Sequence, residues 1–447
     1  LQVMKQILLL GAGLSTTSLI NYLLKHAESE NWFIQIGDIK LDHLEKKISE
    51  HPRAEVVFFD ICNLHEHQNI IIEADLVISM LPARFHPLVA EACLEFNKNM
   101  VTASYVSKEI LGMDEKLKAK NLVFMNELGV DPGIDHMSAM KIIDNIKQKG
   151  GKILAFKSRT GGLVAPEYDN NPWNYKFTWN PRNVVLAGQG TSMFIRNGRY
   201  KYIPYHQLFS RLEYTNVQDV GEFEIYPNRD SLKYRQTYDL CEIPTIIRGT
   251  MRRSGFCAAW DVFVQLGLTD DSFIIEDSEN MTYRQFVNSF LKYDPGTPIE
   301  IKLPALIGID PKSEIMNKIA WLGLLEDQPI GIKEATPAQI LQKKLEEKWG
   351  LEPEDKDMIV MEHVLEWELD AKKYETRSSL VVRGINQQET AMAITVGTPV
   401  AIATKLILNG SFKQTGVQIP VKADIYLPIL KELEDLGIRF VEETIEL

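Results

Sequence analysis

Cysteine is scarce in this chain: there are four among 447 residues, Cys62, Cys93, Cys241 and Cys257. No two form a Cys-x-x-Cys pair, so neither a zinc site nor a disulfide framework is indicated. A reducing compartment follows, with the cytoplasm as the default. Long apolar runs are also lacking. None is read as reaching the roughly 20 residues that cross a bilayer, so no membrane partner is expected. The run from Ile7 to Leu10 is too short for the apolar part of a secretory signal. Positive charge is in the minority, with 49 Lys and Arg against 61 Asp and Glu and a formal net charge of −12. That field disfavours nucleic acid as a partner, and an anionic substrate needs a local cluster of cations. His65 and His67 form a His-x-His with no third ligand, which reads as a solvated loop, so no metal is expected. Internal repeats and low-complexity segments are absent.

What is present is an ordinary globular composition, long enough for two or three domains. Near the start, Ile7-Leu8-Leu9-Leu10 runs into Gly11-Ala12-Gly13-Leu14. A helical pattern follows in Leu19, Ile20, Leu23 and Leu24. A second run, Trp32 to Ile36, ends in Gly37-Asp38. Strand, glycine turn, helix, strand and acid is the order of a dinucleotide-binding βαβ unit. Gly11 and Gly13 let the backbone turn and approach a pyrophosphate seated on the helix N-terminus. Asp38 stands where a carboxylate accepts the adenine ribose hydroxyls. It favours NAD over NADP, because a 2′-phosphate would meet a like charge. Lys40 softens that exclusion, and the third glycine position of the fingerprint is Thr16.

Further strands are expected at Val56–Phe59, Leu76–Met80, Met100–Ala103 and Leu122–Met125, with helical patterns between them such as Pro87–Phe96. Regular alternation predicts an α/β, Rossmann-like, doubly wound parallel sheet. Ligands bind such sheets at the carboxyl ends of the strands, which selects Asp60, Leu81, Ser104, Tyr105 and Glu127. We place a dinucleotide-binding domain at 1–135. A mixed α/β substrate domain, with a possible role in dimerisation, is placed at 136–390. A C-terminal segment, 391–447, returns to the first domain. Lys333–Trp349 reads as a solvated amphipathic helix, and Ala391–Leu408 as a helix ended by Asn409-Gly410.

Several motifs then occur in order: Ser104-Tyr105-Val106-Ser107, Asn126 to His136, Gly161 to Glu167, Tyr175 to Trp179, Tyr226 to Ser231, Arg248 to Arg252 and Thr395 to Pro399. Together they closely resemble the saccharopine dehydrogenases of the L-glutamate-forming type, nearly end to end. The resemblance implies an oxidoreductase of lysine metabolism. It would convert saccharopine, NAD(P)+ and water to L-glutamate and 2-aminoadipate 6-semialdehyde, or run in reverse. It implies a homodimer. It also implies cofactor contacts at Gly13, Leu14, Asp38, Asp60, Ile61, Leu81, Ser104 and Asp131. The implied substrate contacts are Ser104, Tyr105, Asp131, Arg229, Thr250, Met251 and Arg252. Two positions depart from the pattern. Thr160 stands where some relatives carry a cysteine before the Gly-Gly pair. Asp38 stands where NADP-using relatives carry a basic residue.

A substrate with three carboxylates and a secondary amine needs cations, and groups that move protons on and off nitrogen and oxygen. Arg229 and Arg252 suit the carboxylates, since a guanidinium grips one bidentately. Arg248 and Arg253 are open between substrate contact and ion pairing. Asp131 and Tyr105 are the candidate catalytic pair. Asp131 also suits a helix cap or turn, and Tyr105 suits packing or hydrogen bonding. His136 reads as structural, and Gly161-Gly162 as a close approach or a turn. Two alternatives remain. A carboxynorspermidine dehydrogenase has fewer carboxylates to hold, and a non-catalytic NAD(P)-binding sensor needs no such set of residues.

Overall fold

Each apolar run of the first third forms a strand. These are β1 (Lys5–Leu10), β2 (Trp32–Asp38), β3 (Ala54–Phe58), β4 (Leu76–Ser79), β5 (Asn99–Thr102) and β6 (Val123–Met125). This computed structural model describes residues 3–41, 44, 48 and 51–447. With strands numbered in chain order, β15 (Gly416–Gln418) from the tail joins this sheet. The order is β15–β6–β5–β4–β1–β2–β3, and every pairing is parallel. Helices cover the faces, so the inner strands read as unbroken apolar runs; Ile7 to Leu10 are fully buried. After β1 the chain builds β2 and β3 on one side, then crosses to β4, β5 and β6 on the other. The switch point lies between β1 and β4, where a crevice opens at the carboxyl ends.

The chain divides into two units. The first comprises Leu1–Lys152 and Leu380–Val441. The helix Ile134–Gln148 belongs to it, because Tyr426 on the tail helix Ala423–Asp435 donates to Asp144 Oδ2 at 2.6 Å. The helix Ala391–Leu408 is long and apolar enough to cross a membrane, unlike the sequence reading, yet 61% of it is buried in the protein. It is a core helix. Gly397 permits its close approach to the helix Thr17–His26, where a methyl group would lie 2.9 Å from Leu19 N and 3.1 Å from Ser15 O.

The second unit comprises Ile153–Ser379 and Glu442–Leu447. Its strands are β7 (Lys152–Val164), β8 (Thr191–Arg196), β9 (Arg199–Pro204), β10 (Glu213–Val217), β11 (Gly221–Pro227), β12 (Thr245–Arg252), β13 (Asp357–Leu369), β14 (Lys372–Arg383) and β16 (Phe440–Glu446). The sheet runs β10–β11–β12–β7–β13–β14–β16, with β8 beside β12 and β9. It is mixed: β11 and β12 are antiparallel, and β12 and β7 parallel. Trp173, Tyr175, Phe256, Trp260 and Trp349 form an aromatic core, with Tyr175 and Trp349 centred 5.1 Å apart. The helix read as solvated starts at Pro337, behind a Thr336–Gln339 capping box, and runs to Trp349. One face is buried, including Lys344, whose ammonium lies 4.5 Å from the centre of the Tyr283 ring. A long lysine can bury its stem this way, which hydropathy alone does not reveal.

Candidate active site

At the end of β1 the backbone turns at Gly11, whose φ is +85°. A methyl group there would lie 2.9 Å from Met80 O and 3.1 Å from Leu81 Cδ2, so only glycine fits. Gly13 differs: a methyl group on it would meet no atom within 4 Å. The surface above Gly13 is open, at the N-terminal end of the turn and helix that run from Leu14 to His26. An open glycine beside helix N-terminal amides fits the pyrophosphate of a dinucleotide. Asp38, at the end of β2, is held by backbone donors. Ala12 N donates to Oδ2 at 2.9 Å and Lys40 N to Oδ1 at 3.0 Å. The carboxylate is thus locked beside the glycine turn, with lone pairs left for hydroxyl donors. Asp60 caps the turn Ile61–Asn63, accepting from Cys62 N and from the Asn63 amide. Ile61 is buried in the core, so it offers a ligand its backbone alone, whereas Leu14 is exposed and Leu81 half-buried.

The ends of β4, β5 and β6 are cross-linked by side chains. Ser79 Oγ lies 2.8 Å from His86 Nδ1, and His86 Nε2 lies 2.7 Å from Ser104 Oγ. Burial pushes the His86 pKa down to about 4, so the ring is neutral at physiological pH. Glu127 has a positive φ of 59°. Its Oε1 accepts from Val106 N at 3.1 Å, and its Oε2 lies 2.7 Å from His136 Nε2. His136 is buried and ties this loop to the helix that it opens. Gly129 N donates to Pro132 O at 2.8 Å, and Ile134 N to Gly129 O at 2.9 Å, closing a tight turn. Gly133 is obligatory in it, since a methyl group would sit 2.0 Å from Gly129 O. This turn presents Asp131, half-buried, to the Tyr105 hydroxyl, which donates to its Oδ1 at 3.4 Å. Ser104, Tyr105 and Asp131 are therefore brought together on the first unit.

In the second unit, strand register lines up the substrate candidates. Thr250 is opposite Tyr226 on β11 and Thr160 on β7. Side chains two apart share a face, so Arg248 and Arg252 flank Thr250 there. Met251 points the other way; it is fully buried, and a methyl group on Gly161 would lie 2.9 Å from its Cβ. Gly161 thus serves close strand packing.

Arg252 is 3% exposed. Its guanidinium lies 5.2, 5.7 and 5.3 Å from the ring centres of Tyr175, Tyr226 and Phe256. Nη1 donates to Met251 O at 3.0 Å, Nε has no partner, and no carboxylate pairs with it among the described residues. Burial works against this charge, but Tyr226, Tyr175, Cys257 and Glu224 hold its pKa above the usual value. Arg248 is different: its Nη1 donates to the Tyr234 hydroxyl at 2.6 Å and its plane covers that ring. Arg253 donates to Val220 O and covers Phe223. Both are used structurally. Arg229 follows β11, exposed, with a left-handed φ of +39°. Its carbonyl accepts from Met193 N at 2.7 Å, which pins the loop. No hydrogen bond or ion pair of its side chain exists among the described residues.

Sequence reasoning missed His86 and the aromatic cage around Arg252. The signal for His86 was faint: a histidine opening the helix His86–Glu95, between two strands whose ends matter. The cage residues Tyr175 and Tyr226 lay in recognised motifs, but their meeting depends on sheet register. His67 packs against Phe58 and Phe59, and among the described residues no group of three or more His, Cys, Asp or Glu is placed to hold a metal.

Comparison with known proteins gives the family. Residues 7–125 match the saccharopine dehydrogenase NADP binding domain, and 129–438 the saccharopine dehydrogenase C-terminal domain. The saccharopine dehydrogenase [NADP(+), L-glutamate-forming] of Schizosaccharomyces pombe is 32% identical over 452 residues, covering 99% of this chain and 100% of that one. The mitochondrial alpha-aminoadipic semialdehyde synthase of Mus musculus is 32% identical over 457 residues, 99% of this chain but 48% of that protein. The apo saccharopine dehydrogenase (L-Glu forming) of Saccharomyces cerevisiae superposes with a TM-score of 0.90 at 30% identity, covering 99% of this chain and 100% of that one. With a dinucleotide turn, a caged arginine and both family domains in order along one chain, this protein belongs to the saccharopine dehydrogenase family.

Proposed function

We propose that this protein is an NAD(P)-dependent oxidoreductase of lysine metabolism acting on a CH–NH group. It converts saccharopine, NAD(P)+ and water to L-glutamate, 2-aminoadipate 6-semialdehyde, NAD(P)H and a proton, or runs the reverse. The observation that carries this reading is Arg252, a buried cation with no carboxylate in hydrogen-bond contact among the described residues, although Glu224 stands opposite it on β11. Such a charge is costly unless a ligand anion completes it. Arg252 grips one substrate carboxylate, Arg229 a second, and the Thr250 hydroxyl adds a neutral donor or acceptor.

The bound nicotinamide supplies the hydride acceptor. Gly11, Gly13 and Leu14 seat the dinucleotide backbone, and Asp38 accepts the ribose hydroxyls. Asp60, Ile61, Leu81, Ser104 and Asp131 line its path. Hydride leaves the lysine-derived carbon beside the secondary amine, which must first be neutral. Asp131 accepts the ammonium proton, and Tyr105, hydrogen-bonded to it, orients the carboxylate. The resulting imine takes up water, and the carbinolamine collapses to aldehyde and glutamate when the nitrogen is reprotonated.

For the coenzyme we propose a preference for NAD+, although the fungal relative's name carries NADP(+). The locked Asp38 carboxylate would face a 2′-phosphate as a like charge. The protein is further proposed to act as a cytoplasmic homodimer, checked by fractionation and sedimentation. Purified protein is mixed with saccharopine and NAD+ or NADP+ at equal concentration, and nicotinamide absorbance is followed. Turnover with NAD+ the faster supports both readings. Faster turnover with NADP+ overturns the coenzyme choice alone, and no turnover with either, in a protein that binds NADH, overturns the activity.

A further inference from the structure

The His86 imidazole joins two hydroxyls, Ser79 through Nδ1 and Ser104 through Nε2. A neutral ring donates at one nitrogen and accepts at the other, so two arrangements fit these distances. In one, Nδ1–H donates to Ser79 and Nε2 accepts the Ser104 O–H. In the other, the Ser79 O–H donates to Nδ1 and Nε2–H donates to Ser104. The first strands the Ser79 proton. Ser79 is wholly buried, and its hydroxyl has no second partner among the described residues. A stranded buried donor is strongly disfavoured, whereas the second arrangement pairs every buried donor. It also leaves one proton over, the O–H of half-buried Ser104, directed away from the ring. The depressed basicity of His86 keeps the ring from becoming a double donor.

We infer that His86 is a positioning residue: by donating from Nε2 it leaves the Ser104 O–H free to donate toward an acceptor oxygen of a bound ligand. That oxygen belongs to the nicotinamide carboxamide or to a substrate carboxylate. The inference rests on the proposed placement of Ser104 at coenzyme and substrate. It assigns His86 no proton transfer, since the ring acts only through the serine.

The test has two arms. In protein labelled with ¹⁵N-histidine, long-range ¹H–¹⁵N spectra report each ring's tautomer, and His86→Gln identifies the signals. The expected result is a neutral ring protonated at Nε2 between about pH 5 and 8, the interval in which an ordinary histidine changes charge. A ring protonated at Nδ1, or an imidazolium in that interval, overturns the inference. The kinetic arm compares Ser104→Ala, His86→Gln and the double variant. Each single change is expected to lower kcat/KM by roughly tenfold, the loss of about one oriented hydrogen bond. The double variant is expected to be no worse than Ser104→Ala, because the ring works through the hydroxyl. Multiplicative losses indicate a separate structural role and overturn the inference. A rise in KM confined to the coenzyme assigns the acceptor to the carboxamide, and one confined to saccharopine assigns it to a carboxylate, each supporting the proposal. Unchanged kinetics in Ser104→Ala, with the ring protonated at Nε2, overturn the placement of Ser104 and leave the tautomer assignment standing.

Discussion

Arg252 sets function against stability. Its charge is buried among three aromatic rings, and no carboxylate hydrogen-bonds it among the described residues, Glu224 acting on it only through space. Arg252→Met keeps apolar bulk in the cage and removes the unpaired cation. Saccharopine affinity should fall by at least roughly 100-fold, as when one member of a buried charge pair is lost. The melting temperature should hold or rise, because a buried ion is often no better than a well-packed apolar side chain. Calorimetry and substrate titration on the same sample check both halves. His86 makes a separate pH prediction. Its folded pKa of about 4 lies below the ordinary 6.5 because the ring is buried. Between those values the unfolded chain holds a proton that the folded chain does not. This contribution to stability is complete above pH 6.5 and is lost as pH falls toward 4, by on the order of 3 kcal/mol. Denaturant midpoints measured from pH 7 to 4 should show a shallower decline in His86→Gln than in the parent. The arginine cluster stood out in an acidic sequence, but its division did not. Arg248 and Arg252 share a strand face, and only the chance of meeting Tyr234 or an aromatic cage separates a structural arginine from a ligand-seeking one.

The glycine turns argue at the level of elements. Gly11→Ala forces an L side chain to a φ of +85° and against Met80 O, at a cost of roughly 1–3 kcal/mol. Gly13→Ala meets no protein atom, so stability should be unchanged while coenzyme binding weakens, on the order of tenfold, where the pyrophosphate approaches. Equal coenzyme affinity in Gly13→Ala and the parent would remove the pyrophosphate from that turn. The strands of the first unit could be read because β1 to β6 are short apolar runs, the first three closed by a glycine or an acid, and inner parallel strands buried on both faces need no alternation. The Ala391–Leu408 helix was read to its last residue because Asn409-Gly410 ends it. What could not be read was partnership across distance. Tyr226, Thr250 and Thr160 are 90 residues apart at the extremes and meet only through the β11–β12–β7 register. The amphipathic helix read over Lys333–Trp349 is present from Pro337, with Gln339, Glu346, Glu347 and Lys348 on its exposed face. Lys344 was not expected inside: it buries its stem, pairs with Glu347 and rests against Tyr283 of another helix.

For the chain as a whole, motif order carried more information than any single motif. Gly-Ala-Gly alone indicates a dinucleotide, while the ordered set from Ser104 to Arg252 specifies an amino-acid substrate with several carboxylates. The assignment makes a statement about one bond: hydride departs from the lysine-derived carbon beside the nitrogen, not from the glutamate α-carbon. Saccharopine carrying deuterium at that lysine-derived carbon tests it directly. With both hydrogens of that carbon replaced, one deuterium should appear in the reduced nicotinamide and the other in the semialdehyde, with an equal amount of unlabelled glutamate released. Recovery of the deuterium in lysine, with 2-oxoglutarate as the other product and an unlabelled reduced nicotinamide, would contradict it.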